Sequence, residues 1–151
     1  MKSTQHNPNR LIELLKRVPL DRFFLETQVS SYTYHDVVKF SEKLSSDYPQ
    51  LVDKNCAIIS EDRESLALLL PAIDNICRNI LLLPKDAEGH EEVFYQSADI
   101  HYVLSLSKGD VGSIKVVSDH PPVNDEVARS YILATSGTTG TPKLASYSLS
   151  T

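Results

Sequence analysis

Short apolar runs that alternate with helix-forming segments fill the chain from residue 55 to residue 148. Five of these runs, at 56–59, 79–83, 100–104, 114–117 and 131–134, are short and bounded by polar residues, glycine or proline. Strands that are buried on both faces of a sheet have this character. The pattern therefore predicts an α/β fold: a layered, mostly parallel sheet with helices on both faces.

The N-terminal third predicts two helices and a pair of short strands. Asn7-Pro8 is a capping signal for a first helix that ends near Pro19. Residues 23–25 and 31–32 have strand character, and Thr33 with Asp36 three residues later resembles a capping box for a second helix.

A third helix is predicted from the capping residues 60–62 to about Cys77, and Pro71 predicts a kink or break within it. Residues 88–97 predict a further short helix, and Lys108-Gly109-Asp110 predicts a turn. A length of 151 residues with 41% apolar content is enough for one core. With no internal repeat, the chain is expected to form a single domain over residues 1–151.

Charge and hydropathy exclude several classes of partner. The formal net charge is −5 and no basic cluster occurs, so nucleic acid is not expected as a partner. The apolar stretches are shorter than a membrane span needs, and the polar first ten residues lack the apolar core of a secretory signal, so a cytoplasmic location is expected. Cys56 and Cys77 lie in apolar segments and are expected as buried, reduced thiols.

The segment that follows the run at 131–134 is concentrated in groups that bind phosphate. Its sequence is Thr135-Ser136-Gly137-Thr138-Thr139-Gly140-Thr141-Pro142-Lys143. Glycines allow backbone N–H groups to face an anion, hydroxyls donate to phosphate oxygens and lysine supplies a positive charge. A serine-, threonine- and glycine-rich surface turn is the structural alternative for such a composition.

Two common nucleotide motifs do not match this segment. A P-loop requires glycine before the lysine and Ser or Thr after it, whereas Pro142 and Leu144 occupy those positions. A dinucleotide fingerprint with three spaced glycines after a strand is also missing from the sequence.

The segment closely resembles the signature of the adenylate-forming (AMP-binding) superfamily, Thr-Ser-Gly-Ser/Thr-Thr-Gly-x-Pro-Lys-Gly. This superfamily includes acyl-CoA and aryl-CoA synthetases, luciferases and the adenylation domains of peptide synthetases. Every fixed position from Thr135 to Lys143 matches, and Leu144 replaces the usual final glycine. Weaker similarities at 33–37, 55–83, 102–104 and 130–134 follow the family's order.

The resemblance implies ATP as a cofactor, with Mg²⁺, and a carboxylic acid as the second substrate. The cofactor-binding residues that it implies are Thr135, Ser136, Gly137, Thr138, Thr139, Gly140 and Lys143, which would hold the β and γ phosphates while the carboxylate attacks the α phosphorus. The fold that it implies is the first subdomain of the ligase.

The family places its adenine and ribose contacts, magnesium carboxylate, acyl pocket and catalytic lysine downstream of the loop, and this sequence ends eight residues after Lys143. The chain is therefore expected to be truncated shortly after the phosphate loop, with no catalytic residue and no metal site of its own. Two functions follow: an N-terminal fragment or subunit of an acyl-AMP-forming ligase, completed by a complementary chain, or a catalytically inactive remnant that acts as a protein-interaction module.

The remaining polar residues predict structural roles. The five histidines lack metal-ligand spacing with the cysteines and are interpreted as surface or helix positions; they are His6, His35, His90, His101 and His120. Glu61, Asp62 and Glu64 are interpreted as the acidic start of a helix rather than as a catalytic pair.

Overall fold

The computed structural model describes residues 11–83, 91–120, 130–135 and 143–147. The helices are α1 (Leu11–Leu15), α2 (Tyr34–Asp47), α3 (Arg63–Ile76) and α4 (Glu91–Ser97), with a 3₁₀ turn at Pro49–Leu51. The strands are β1 (Phe23–Glu26), β2 (Ser31–Thr33), β3 (Cys56–Ser60), β4 (Ile80–Leu82), β5 (Tyr102–Ser107), β6 (Asp110–Val116), β7 (Tyr131–Thr135) and β8 (Lys143–Tyr147).

Six of these strands form one sheet in the order β6-β5-β3-β4-β7-β8. The four central strands are parallel to one another, whereas β6 and β8 are antiparallel to their neighbours at the two edges. The predicted α/β fold is confirmed, with a sheet that is mixed rather than uniformly parallel. Strand β6 is antiparallel because a tight turn joins it to β5. Lys108 and Gly109 in this turn have φ of 53° and 73°, the conformation that favours a two-residue hairpin.

The sheet carries an apolar core on each face, as the alternation of side chains along a strand requires. On one face, α2 and α3 cover a cluster that includes Cys56, Ile58 and Leu104. On the other face, α4 covers a cluster that includes Ala57 and Leu81. Consecutive residues of β3 thus enter different cores, which confirms the prediction of helices on both faces.

Side-chain caps begin the two long helices where the sequence predicts them. The Thr33 hydroxyl accepts the Asp36 N–H at 3.2 Å and the Asp36 carboxylate accepts the Thr33 N–H at 2.8 Å, so the capping box of α2 is present. Asp62 caps α3 by accepting the Ser65 N–H at 2.6 Å. Of the kink or break predicted at Pro71, the break is wrong, because α3 continues through this buried proline to Ile76.

Some element boundaries differ from the predictions. Helix α1 ends at Leu15 rather than near Pro19, because the next backbone bonds shorten to three-residue turns, with the Val18 N–H donating to the Leu15 carbonyl. Strand β5 extends to Ser107 and β6 begins at Asp110, since their pairing continues to the turn between them. The cap predicted at residues 7–8 lies outside the described residues.

Candidate functional site

The predicted phosphate loop connects the paired ends of β7 and β8. Thr135, the last residue of β7, is the register partner of Lys143, the first residue of β8. Opposed residues in an antiparallel pair have Cα atoms about 4.5–5.5 Å apart. The segment between them, with Ser136, Gly137, Thr138, Thr139 and Gly140, lies outside the described residues. The structure therefore fixes where this loop starts and returns, at one point of the sheet.

The start of the loop lies at the carboxyl edge of the parallel strands. Strand β7 is parallel to β4, with Ile80 opposite Tyr131 and Leu82 opposite Leu133, and Ile132 is buried in the core beneath α4. Because β3, β4, β5 and β7 share one direction, Thr135 lies at the same edge as the ends of those strands. Ligands of open α/β sheets bind outside this edge.

The helices that follow β3 and β4 lie on opposite faces of the sheet. The chain after β3 enters α3, which packs on one face of the sheet, and the next helix after β4 is α4, which packs on the opposite face. Adjacent strands whose following connections diverge in this way open a crevice at their carboxyl ends. Strand β7 lies beside β4, so Thr135, where the predicted phosphate loop starts, lies next to the carboxyl end of β4.

A cleft of about 290 Å³ lies at the same edge but on the other side of β3. Its lining comes from the β1–β2 turn, the start of α3 and the β5–β6 turn: Thr27, Val29, Ser30, Tyr32, Asp62, Glu64, Leu68, Lys108 and Gly109. Two carboxylates and one ammonium group give it an excess of negative charge. Such a lining disfavours a triphosphate.

The opposite, amino edge of the strands is held together by polar side chains that the sequence analysis missed. The Asn55 side chain donates to the Asp99 carbonyl at 2.9 Å and accepts from Asn79 Nδ2 at 3.0 Å. Asn79 Oδ1 in turn accepts the N–H and the hydroxyl of Ser130, at 3.0 and 2.9 Å. We call these three side chains the amino-edge network. It connects the residues that precede β3, β4 and β7.

The interpretation of His101 as a surface or helix position is wrong. His101 is 1% exposed and directly precedes β5, and its Nδ1 accepts the backbone N–H of Asn55 at 3.1 Å. Its Nε2 has no hydrogen-bond partner within the described residues. The ring therefore supplies the acceptor that the buried Asn55 N–H requires, next to the amino-edge network.

In residues 11–83, 91–120, 130–135 and 143–147, no three His, Cys, Asp or Glu side chains come together in a way that could hold a metal ion. Across the same residues, none of the helices combines the length and apolar character needed to cross a membrane.

The comparison with known proteins assigns the fold. No protein-family profile matches the sequence, and no curated protein matches it. The chain is similar to the Klebsiella oxytoca NpsA N-terminal subdomain in complex with 3-hydroxybenzoyl-AMSN, at 18% identity over 93% of this chain, with a TM-score of 0.67. It is also similar to the Bacillus subtilis o-succinylbenzoate CoA synthetase MenE in complex with the acyl-adenylate intermediate OSB-AMP, at 16% identity over 91% of this chain, with a TM-score of 0.66.

The chain spans about two fifths of these structures, 41% of each. The chain is also similar to NpsA-ThdA, an artificially fused di-domain from Klebsiella oxytoca. The identity is 17% over 91% of this chain and 31% of the fusion, with a TM-score of 0.64. The resemblance in the loop signature thus extends to the fold, which is that of a part of the N-terminal subdomains of adenylate-forming ligases.

Proposed function

We propose that this chain is an N-terminal fragment or subunit of an ATP-dependent carboxylate ligase of the acyl-AMP-forming type. Its part in the reaction is to hold the ATP triphosphate, and then the leaving pyrophosphate, through the loop from Thr135 to Lys143. The observation that carries this proposal is the position of a nine-residue adenylate-forming signature between β7 and β8, at the carboxyl edge of a sheet with the ligase fold.

The chemistry of the loop suits this role. Hydroxyls at Ser136, Thr138 and Thr139, with backbone N–H groups near Gly137 and Gly140, are neutral donors to phosphate oxygens. Lys143 adds the positive charge that a leaving pyrophosphate requires. Catalysis of this kind depends on positioning and electrostatic stabilisation rather than on a protein nucleophile.

The complete reaction also requires groups from a complementary part of the ligase. Mg²⁺, the carboxylic acid and the nucleoside of ATP would all contact that part. Support comes from the similar structures of MenE, which hold AMP or an acyl-adenylate intermediate and of which this chain covers 41%. We infer that residues 1–151 form one subdomain that supplies the phosphate loop and needs the complementary part for adenylation.

Calorimetry with pyrophosphate tests the phosphate site. The wild-type chain should bind weakly, and Lys143→Ala should abolish the binding, because a charged hydrogen bond contributes about 1.5–3 kcal/mol. Lys108→Ala is the matched control, since Lys108 lies in the acidic cleft. Equal affinity in the wild type and Lys143→Ala would exclude the loop as the site.

Carboxylate-dependent pyrophosphate exchange tests the insufficiency of the chain alone. No exchange above background is expected with any carboxylic acid, because the groups that bind the nucleoside and the acid lie in the complementary part. Robust exchange by the purified chain would show that it is a complete adenylating enzyme.

A second candidate function, a protein-interaction module, is favoured by exposed apolar side chains on β7 and β8. Leu133 and Tyr147 are 36% and 55% exposed, and the pairings Leu133–Ala145 and Tyr131–Tyr147 place all four side chains on one face of β7 and β8. Strand β8 is also an edge strand with a regular register over five pairs. An exposed, regular apolar edge favours association with another polypeptide.

Light scattering tests this surface. The wild-type chain should self-associate, and Tyr147→Lys should shift it towards monomer, since a charge on the open edge opposes strand pairing. Val116→Lys is the matched control: Val116 is 61% exposed on the other edge strand, whose pairing with β5 contains a register shift. A wild-type chain that is monomeric at all concentrations would show that this edge does not associate, which contradicts the interaction-module function.

A further inference from the structure

The two cysteines of the chain meet in the core, although 21 positions separate them. Cys56 is the first residue of β3 and Cys77 is the C-cap of α3. Their Sγ atoms are 3.2 Å apart, and the side chains are 0% and 1% exposed. Single buried thiols usually act as small apolar side chains. Two thiols in direct contact can also be oxidised to a disulfide.

The backbone holds both cysteines in place around this contact. The Cys56 N–H donates to the Asn79 carbonyl at 2.9 Å, and the Cys77 N–H donates to the Ile73 carbonyl at 2.9 Å. A disulfide requires the sulfurs to approach from 3.2 Å to about 2.0 Å, a movement on the order of 1 Å.

We propose that Cys56 and Cys77 are an oxidative modification site, at which a peroxide converts the two thiols into one intramolecular disulfide. One thiol, as its thiolate, attacks a peroxide oxygen, the O–O bond breaks and the departing hydroxide takes up a proton to leave as water. The resulting sulfenic acid is attacked by the second thiol, the S–O bond breaks and a second water leaves. Both sulfurs are oxidised and both peroxide oxygens are reduced.

The position of the pair determines how this reaction behaves. Because both thiols are buried, peroxide reaches them only when the end of α3 opens from the sheet, so oxidation of the folded chain is slower than oxidation of the unfolded chain. Once formed, the disulfide joins the start of β3 to the end of α3 and restricts the unfolded chain over this interval. It lies at the amino edge, away from the phosphate loop, so the inference does not depend on the proposed ligase function.

The test treats the purified, reduced chain with hydrogen peroxide, unfolds it, blocks free thiols with N-ethylmaleimide and measures the intact mass. The expected product is a monomer that is about 2 Da lighter, takes up no maleimide and yields a linked peptide containing Cys56 and Cys77. The urea midpoint of this product should rise, because the equilibrium constant of unfolding decreases on the order of a hundredfold. Reduction of the unfolded chain with dithiothreitol should reverse this stabilisation.

Three results would overturn the proposal. The first is uptake of two maleimides after peroxide treatment, which would show that the thiols do not react. The second is sulfinic or sulfonic acid on either cysteine, or a disulfide between two chains. The third is an oxidised monomer with a lowered urea midpoint, which would show that the linkage distorts the native core. Cys77→Ala serves as the control, and should give no intramolecular product.

Discussion

The two ends of the parallel strands are built for different tasks. At the amino edge, Asn55, Asn79 and Ser130 connect three strands through hydrogen bonds of 2.9–3.0 Å. At the carboxyl edge, the connections from β3 and β4 diverge and the loop after β7 carries hydroxyls, glycines and a lysine. The polar residues at the amino end fix the sheet, and those of the loop at the carboxyl end are proposed to bind a ligand.

This difference follows from the cost of buried polar groups. An amide such as Asn55, which is 4% exposed, is stable in the core only when its donors and acceptors are paired. Polar groups that are to bind phosphate must instead be available for the ligand. Polar residues therefore stabilise the fold at one edge and are proposed to bind phosphate at the other.

The largest effect on stability is expected from Asn55→Ala. It removes the partner of the Asp99 carbonyl and of Asn79 Nδ2, so the free energy of unfolding should fall by about 2–3 kcal/mol. Urea unfolding followed by circular dichroism measures this change. Thr138→Ala, from the other edge, should alter the free energy by less than about 0.5 kcal/mol. An equal loss of unfolding free energy in both variants would show that the two edges do not differ in their contribution to stability.

A smaller effect is expected from Asp36→Asn, which changes a cap away from both edges. The hydrogen bond from the Thr33 N–H holds the pKa of the Asp36 carboxyl below its ordinary value of 3.8, with lesser contributions from the Thr33 hydroxyl and from Lys39 and His35. Loss of the capping carboxylate should lower the free energy of unfolding by about 1 kcal/mol at neutral pH.

The pH dependence of that effect has a defined sign. A carboxyl whose pKa is lower in the folded state stabilises the fold above its unfolded value, and this contribution is lost as the pH falls through the folded value. Urea unfolding of the wild type and Asp36→Asn from about pH 6 to about pH 2 should show the two converging in acid. A difference that stays constant over this range would show that the charge of Asp36 makes no contribution.

The elements that were predictable from the sequence are those with strong local signals. The apolar run at 131–134 and the capping pair Thr33–Asp36 both appear as predicted, because hydrophobic pattern and capping chemistry are local properties. The two cysteines are buried as predicted, but their contact depends on how β3 packs against α3. Pairing between distant segments is not visible in a local pattern.

The amino-edge network could not be predicted for the same reason. Asn55 and Asn79 each precede an apolar run, which is a local signal of strand ends, but the bond between their side chains exists only after β3 and β4 are aligned. His101 was misplaced because nothing in its neighbours indicates that its ring would accept the Asn55 N–H. The signature in the phosphate loop was recognisable, whereas its ligand contacts remain a prediction.

The measurement that tests the central claim most directly is a titration of the ¹⁵N-labelled chain with pyrophosphate, followed through its backbone amide resonances. The account predicts shifts of the amides from Ser136 to Lys143, with the amides of Asn55 and Asn79 unchanged, and loss of the loop shifts in Lys143→Ala. Shifts confined to the cleft residues Lys108 and Gly109, or no shifts at saturating pyrophosphate, would contradict the assignment of the carboxyl-edge loop as the phosphate site.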